Sequence, residues 1–312
     1  MSTDPSLASA RILIPFGLIT LIWGSTWIVI LGQLDTVPPS WSVTYRFVVA
    51  ALCMLVYALI SRASLRIGRA GHMLALLFGV AQFSVNFNFV YRAELYITSG
   101  IVAVTFAALV VYNAVLGRIF LKIPVTRDFV IGSVIAMAGI GLLFYNEIRT
   151  LSASPAAVLA GLGYTLAAIL FASIANVMQV TERARALPLA SLLFWGMLYG
   201  TIANSGWAWS SVGAPVIDLG FGYLAGVVYL GAIASALAFP IYFRLIRDIG
   251  PAKAAYSSVV TPVVAMLLST LFEDYHWSAY AIGGGVLAIT GLVVALRGRN
   301  PPPRPQPFGR DG

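Results

Sequence analysis

The sequence predicts an all-α integral membrane protein whose ten transmembrane helices form two inverted five-helix repeats. Composition is the first observation behind this prediction, because hydrophobic residues make up 60% of the 312 residues and charged residues only 10%. Soluble domains carry about 25% charged residues, so this chain has too little charge to cover a soluble core. The other two observations are a series of long apolar stretches and a match between the two halves of the chain.

Ten apolar stretches have about the length that a helix needs to cross a membrane, which is roughly 20 residues. They are predicted at 12–31, 39–60, 73–91, 96–117, 129–146, 155–177, 188–208, 219–243, 252–272 and 278–297. The first stretch is longer than the apolar core of a signal peptide and has no small-residue cleavage site at its end. We therefore expect it to be the first span.

Basic residues predict the orientation of these spans. Sixteen of the 19 Lys and Arg residues fall on one set of alternate segments, which includes both termini, whereas the opposite loops hold only Arg92 and Arg149. Because basic residues are concentrated in cytoplasmic segments, both termini are expected in the cytoplasm. The net charge of +8 then reflects topology, and no nucleic-acid partner is expected.

A shift of 152 residues aligns the chain with itself without a gap, from 79–139 onto 231–291. The identical pairs include Gly79/Gly231, Phe87/Phe239, Arg92/Arg244, Gly132/Gly284 and Gly139/Gly291. Each half then holds five spans, and this odd number makes the two halves antiparallel in the membrane. Inverted repeats are common in secondary transporters, which bind their substrate between the repeats near the midplane.

The repeat sets the predicted domain boundaries. A cytoplasmic N-terminus at 1–11 precedes a first five-span repeat at 12–146. An external linker at 147–154 leads to the second five-span repeat at 155–297. The Pro-rich cytoplasmic tail at 298–312 cannot continue a helix and is expected to be disordered.

Few titratable or nucleophilic residues lie within the predicted spans. No Asp or Glu falls in the middle of a span, although proton-coupled pumps usually carry such a carboxylate. The chain has two histidines and a single cysteine, Cys53, without a convincing hydrolase, metal-binding or phosphate-binding motif. We therefore expect no enzyme activity, no cofactor and no metal site, and facilitated transport is simpler than coupling to protons.

Three parts of the sequence resemble the drug/metabolite transporter superfamily: LIWGSTW at 21–27, Arg46, and TPVVAMLLSTLFEDYHWSAYAIGGGVLAITGLVV at 261–294. Over about residues 12–297, the chain is similar to the ten-span EamA-type exporters, and more closely to the YddG-type exporters of aromatic and other amino acids. The family often has Glu after the fourth and ninth spans. The second half follows this pattern at Glu273, whereas the first half departs from it at Lys122.

The resemblance implies a secondary transporter in the bacterial inner (plasma) membrane that exports small metabolites, above all aromatic and other amino acids. Alternating access through a central cavity formed by spans 1, 3, 4, 6, 8 and 9 is implied, with a uniport mechanism as the simplest case. The expected partners are the small-molecule substrate and the lipid bilayer, and a monomer is favoured. Transport of another metabolite or a drug, and a channel, remain the alternatives.

Polar and aromatic residues within the spans are the candidates for substrate binding. Gln82 and Asn86 share a helical face with Gly79, at spacings i, i+3 and i+7. Thr105 and Tyr112 lie seven residues apart on another helix. The full candidate set is Trp27, Gln82, Asn86, Thr105, Tyr112, Tyr164, Asn176, Tyr256, Ser257 and Arg46. Interhelical hydrogen bonding and close helix packing are the alternative roles for the amides and hydroxyls.

Arg46 is an arginine inside the second predicted span, where a charge costs roughly 3 kcal/mol on insertion scales. Three roles are open for it. Its side chain could extend to the outer interface, it could bind helix carbonyls or pair with Asp35 or Glu94, or it could bind the carboxylate of a substrate. Because the second span is usually peripheral in the family that the chain resembles, a structural role is favoured.

Overall fold

A computed structural model describes residues 10–122, 124–150, 154–254, 257–272 and 277–297. Every regular element in these ranges is helical. Six of the described helical stretches are long and apolar enough to cross a membrane, judged by length and composition. They are Ile14–Leu31, Pro39–Ile60, Gly68–Ala93, Ser99–Leu121, Pro155–Gln179 and Phe221–Arg247. The predicted tail at 298–312 and Tyr256 lie outside the described residues.

The first half of the chain contains seven described α-helices and one π-helix. They are α1 (Ala10–Leu31), α2 (Pro39–Ile60), α3 (Gly68–Gly79), a π-helix (Val80–Val85), α4 (Asn86–Ala93), α5 (Ser99–Phe106), α6 (Leu109–Leu121) and α7 (Arg127–Thr150). The π-helix joins α3 and α4 into one continuous stretch. The fourth predicted span is interrupted at Ala107 and Ala108, between α5 and α6.

The second half has a corresponding series. It consists of α8 (Pro155–Gln179), the short α9 (Glu182–Arg185), α10 (Leu189–Val212), α11 (Phe221–Val228), a second π-helix (Tyr229–Leu237), α12 (Ala238–Ala254), α13 (Ser257–Phe272) and α14 (Ala279–Arg297). Here α12 extends well past residue 243, where the sequence analysis ended the eighth span. The short α9 lies between the predicted spans 155–177 and 188–208.

The two π-helices occupy equivalent positions under the 152-residue shift. Val80–Val85 shifts onto 232–237, which lies inside Tyr229–Leu237. A π-turn needs one extra residue per turn and is rare, often occurring at functional sites. Residues 80–85 and 232–237, which the 152-residue shift aligns, therefore share the same unusual backbone geometry.

Close helix crossings are made at glycines. Gly139 of α7 faces Gly284 and Ala288 of α14, whereas Gly291 of α14 faces Gly132 and Ala136 of α7. These contacts are reciprocal, because each residue shifts onto its counterpart by 152 positions. Small residues allow helix backbones to approach each other in a membrane protein.

The helices α3 and α10 form a second close crossing, at Gly79 and Gly196, where an added Cβ on Gly79 would meet the Gly196 backbone. Around it lies an aromatic cluster, in which the ring centroids of Phe83 are 5.3 Å from Phe78 and 5.2 Å from Phe239. This cluster joins the two halves of the chain, because Phe78 and Phe83 belong to the first half and Phe239 to the second.

Candidate functional site

A cavity lies at the centre of the helix bundle. The cavity has a volume of about 110 Å³. It is lined by Trp23, Thr26, Trp27, Ile30, Arg46, Gln82, Asn86, Phe87, Val90, Ala103, Phe106, Leu109, Ala172, Asn176, Phe239, Tyr242, Ser257, Thr261 and Pro262. These residues come from the six predicted spans 1, 3, 4, 6, 8 and 9, and from α2 through Arg46.

Aromatic rings form much of the cavity wall. Trp23 packs edge-on against Tyr242 at 4.8 Å between ring centroids, and its Nε1 donates to the carbonyl of Ala234 at 3.1 Å. Trp27 lies 5.3 Å from Phe106. Rings held in this way present flat apolar surfaces of the kind that stack against an aromatic ligand.

Among the residues that the structure describes, four buried polar atoms on the cavity lining have no hydrogen-bond partner. They are the donors Trp27 Nε1 and Arg46 Nη1 and the acceptors Gln82 Oε1 and Asn86 Oδ1. The orientation of the Asn86 amide follows from its Nδ2, which donates to the backbone carbonyl of Gln82 at 3.2 Å. A buried polar atom left unpaired costs about 1–3 kcal/mol, so these four atoms are available to bind water or a ligand in the cavity.

Arg46 is buried in the protein interior, with 1% of its surface exposed. Its Nε donates to the hydroxyl of Ser235 at 3.0 Å, and its guanidinium lies 4.2 Å from the centroid of the Phe87 ring. The first of the three roles, extension to the outer interface, is therefore wrong. The side chain instead reaches inward from α2 to the cavity.

Glu94 and Tyr91 lie near Arg46, close to the end of α4. Glu94 is only 5% exposed, although the sequence analysis placed it at a span end, and it attracts Arg46 electrostatically. The Tyr91 hydroxyl donates to Oε1 of Gln33 at 2.9 Å. The Glu94 carboxylate thus partly offsets the positive charge of Arg46, and an ion pair between the two side chains, the second of the three roles, stays a prediction.

The structure brings six of the ten predicted site residues together around the cavity: Trp27, Arg46, Gln82, Asn86, Asn176 and Ser257. The Asn176 amide donates to Oδ1 of Asn113 at 3.4 Å, which links α8 to α6. The Ser257 hydroxyl donates to the carbonyl of Ala254 at 2.9 Å.

Three other predicted residues do not line this cavity. The Thr105 hydroxyl donates to the carbonyl of Ile101 in its own helix at 2.8 Å. Tyr164 stacks on Tyr96 with ring centroids 5.8 Å apart, and Tyr112 packs against the hydrophobic core. The tenth residue, Tyr256, lies outside the described part of the chain.

The candidates from the sequence did not include several residues that line the cavity, notably Phe87, Phe239 and Tyr242. A signal for two of them was present, because Phe87 and Phe239 are an identical pair in the 152-residue repeat. Tyr242 follows Phe239 by three residues and so shares its helical face. Within the described residues, no group of three or more His, Cys, Asp or Glu side chains could hold a metal ion.

Comparison with known proteins places the chain among transporters. The model of the EamA-like transporter family matches residues 12–145 and 157–297. The inner membrane transporter YedA of Escherichia coli K12 is 31% identical over 294 residues, covering 88% of each chain. Protein PagO of Salmonella typhimurium is 22% identical over 296 residues, covering 95% of this chain and 96% of PagO.

A solved crystal structure has a similar fold. It superimposes with a TM-score of 0.68 at 18% sequence identity, covering 92% of this chain and 96% of the other. At this level of identity the likeness concerns the fold alone. Together with the apolar helices, the comparisons describe a multi-pass helical membrane protein.

Proposed function

The chain belongs to the EamA-like transporter family, and we propose that it is a secondary transporter that exports amino acids, aromatic ones included, through the central cavity. Both termini lie in the cytoplasm in this proposal, and the host membrane is the bacterial inner membrane. The matched relatives named as transporters support the general activity. The choice of substrate comes from the cavity.

The observation that carries the proposal is the set of unpaired polar atoms on the lining residues. The N–H groups of Trp27 and Arg46 suit a carboxylate, and the amide oxygens of Gln82 and Asn86 suit an ammonium group. An amino acid zwitterion carries both groups on one carbon. The surrounding rings, such as Trp23 and Phe239, suit an apolar or aromatic side chain.

Alternating access is the proposed mechanism, with ten spans in two inverted repeats that rock against each other around the cavity. The reciprocal glycine contacts of α7 and α14 and the matching π-helices support this arrangement. The family model also matches each half separately. Two halves that move against each other would provide the two states that such a mechanism needs.

Uniport is the proposed energetic mode. None of the described residues that line the cavity is an Asp or a Glu. The described lining therefore offers no carboxylate that could bind a proton and the substrate in turn. Glu94 is buried nearby and attracts Arg46, and a pH gradient tests whether it couples protons to transport.

Uptake of labelled phenylalanine into proteoliposomes tests the proposal, with and without a pH gradient. Saturable uptake that is competed by unlabelled tryptophan and is independent of the gradient is expected. Arg46→Met, of similar volume but without charge, should abolish saturation while the purified variant remains monodisperse. Absence of uptake for every amino acid by folded protein would contradict the substrate, and currents that do not saturate would indicate a channel.

A further inference from the structure

Ser235 lies beside Arg46 in the second π-helix. Its hydroxyl donates to the carbonyl of Leu230, five residues earlier, at 2.7 Å. Because this bond uses the single hydroxyl proton, the Ser235 oxygen can only accept further hydrogen bonds. It accepts one from Nε of Arg46 at 3.0 Å. Both side chains are buried, with exposed fractions of 0% for Ser235 and 1% for Arg46.

Gly231 allows α2 and this π-helix to approach closely enough for a short side chain to reach the guanidinium. A Cβ on Gly231 would lie 2.7 Å from the carbonyl oxygen of Arg46 and 2.6 Å from Cβ of Val49. Any larger residue at position 231 would therefore separate the two helices. The Ser235–Arg46 bond depends on this close backbone contact.

Ser235 and Phe87 make the shortest contacts that restrict the plane of the Arg46 guanidinium, and the Phe47 ring lies farther away, with its centroid 5.5 Å from the guanidinium carbon. Ser235 holds its Nε edge, and the Phe87 ring lies under its face, with 4.2 Å from the guanidinium carbon to the ring centroid. Nη1 has no hydrogen-bond partner in the described part of the chain. A guanidinium whose plane is held in this way is preorganised to bind a carboxylate with its remaining N–H groups.

The two contacts come from opposite halves of the chain. Phe87 belongs to α4 in the first half, and Ser235 to the π-helix in the second half. Ser235 does not line the cavity, so any effect on a ligand must pass through Arg46. Residues of this kind orient a binding group without touching the ligand.

We propose that Ser235 is a positioning residue, which orients Arg46 so that its guanidinium binds the carboxylate of the substrate in the central cavity. This inference rests on the proposed function, since it assigns the carboxylate end of that substrate to one side chain. Phenylalaninamide, which keeps the ring and the amino group of phenylalanine but lacks its carboxylate, separates recognition of the carboxylate from all other contacts.

The test compares the binding of phenylalanine and phenylalaninamide to the purified full-length protein. Ser235→Ala should weaken phenylalanine binding about tenfold, the size expected when a hydrogen bond to a charged group is lost, and change phenylalaninamide binding less than about twofold. Ser235→Cys retains the side-chain volume with a poor acceptor and should give the same result. Ser133→Ala is the matched control, because the Ser133 hydroxyl is also buried and its one bond to a described residue is to the carbonyl of Phe129 in its own helix, at 2.7 Å.

Equal weakening for both ligands would overturn the proposal, because it would indicate a general loss of structure. Unchanged phenylalanine binding in both Ser235 variants would overturn it as well, even though the wild-type protein binds phenylalanine. If the folded wild-type protein binds no amino acid, the proposed function itself fails and the role of Ser235 fails with it. The wild-type measurement therefore distinguishes the two failures.

Discussion

Gly139 of α7 and Gly291 of α14 make matching backbone contacts where these two helices cross. A Cβ on Gly139 would lie 2.6 Å from the carbonyl oxygen of Gly284, and a Cβ on Gly291 would lie 2.5 Å from that of Gly132. The 152-residue shift relates Gly139 to Gly291, and it relates Gly132 to Gly284. The two glycines therefore make equivalent backbone contacts. A pair of helices related by a two-fold axis would make the same contacts.

Alanine at either glycine should separate the two helices. Because the nearby atoms are backbone and cannot rotate away, Gly139→Ala and Gly291→Ala should each lower the free energy of unfolding by about 1–3 kcal/mol. One separation accommodates both methyl groups, so the double variant should lose less than the sum of the single losses. Thermal unfolding in detergent measures all three variants.

The control for this pair is Gly141→Ala, in the same helix α7, where an added Cβ would have no atom within 4 Å. It should leave the melting temperature unchanged or raise it, since alanine favours helix more than glycine does. Strictly additive losses at Gly139 and Gly291 would contradict a shared crossing.

Asn204 connects α10 to the first π-helix and α4. Its Oδ1 accepts from Nδ2 of Asn88 at 2.8 Å, and its Nδ2 donates to the carbonyl of Phe83 at 3.0 Å. Asn204→Ala removes both bonds at a fully buried site and should lower the free energy of unfolding by about 1–3 kcal/mol. In Ser205→Ala, the neighbouring control, only a bond to Thr201 of the same helix is lost, so the melting temperature should change far less. Equal losses for the two variants would indicate that the interhelical bonds contribute little.

Gln82 is expected to bind the ammonium group of the substrate through its unpaired Oε1. Gln82→Met, which keeps the volume and removes the acceptor, should raise the half-saturation concentration for phenylalanine about tenfold. Inhibition by 3-phenylpropionate, which lacks the ammonium group, should not change. Thr165→Val is the control, because the buried Thr165 hydroxyl bonds only to Gly161 of its own helix, at 2.8 Å. A loss of inhibition by 3-phenylpropionate in Gln82→Met would assign this residue a different role.

Arg247 joins α12 to the segment between α8 and α10. Its guanidinium donates to the carbonyl of Ala184 at 3.0 Å and to that of Leu187 at 3.4 Å. Arg247→Gln should lower the melting temperature by several degrees, because both carbonyls lose a charged donor. Arg244→Gln, one helical turn earlier, replaces an exposed arginine that bonds only to the Tyr57 hydroxyl, at 3.4 Å, and should have little effect. A larger loss at Arg244 would contradict this assignment.

Hydropathy and turn residues located the helices well. The ends predicted at residues 31 and 60 are the ends of α1 and α2, because the apolar runs stop there at Gly, Pro and polar residues. Helix ends of this kind depend on residues that are adjacent in the sequence, so they can be predicted without knowledge of the packing. The π-helices and the break at Ala107 were not readable in this way, because the local sequence there is as apolar as in an ordinary helix.

The candidate site was predicted in part, and the misses have a common cause. Gly79, Gln82 and Asn86 share one face at α-helical spacing, yet Gln82 and Asn86 line the cavity while Gly79 packs against Gly196. The π-helix that begins at Val80 adds a residue to the turn and rotates the following side chains relative to those before it. The Thr105 hydroxyl donates to a carbonyl of its own helix, and Thr105 does not line the cavity. Residue spacing shows which side chains share a helical face, but not which residues that face contacts.

By itself, the sequence determined that this chain is a helical membrane protein of the EamA-like transporter family, because composition, hydropathy and short motifs are properties of the chain. Only the tertiary structure decided which side chains surround the cavity and what Arg46 contacts. Arg46 lies on a helix that was expected at the periphery, but its long side chain reaches inward. There it contacts Phe87, in the first half of the chain, and Ser235, in the second half. Contacts between residues so distant in sequence depend on the rotation and spacing of packed helices, which no local pattern encodes.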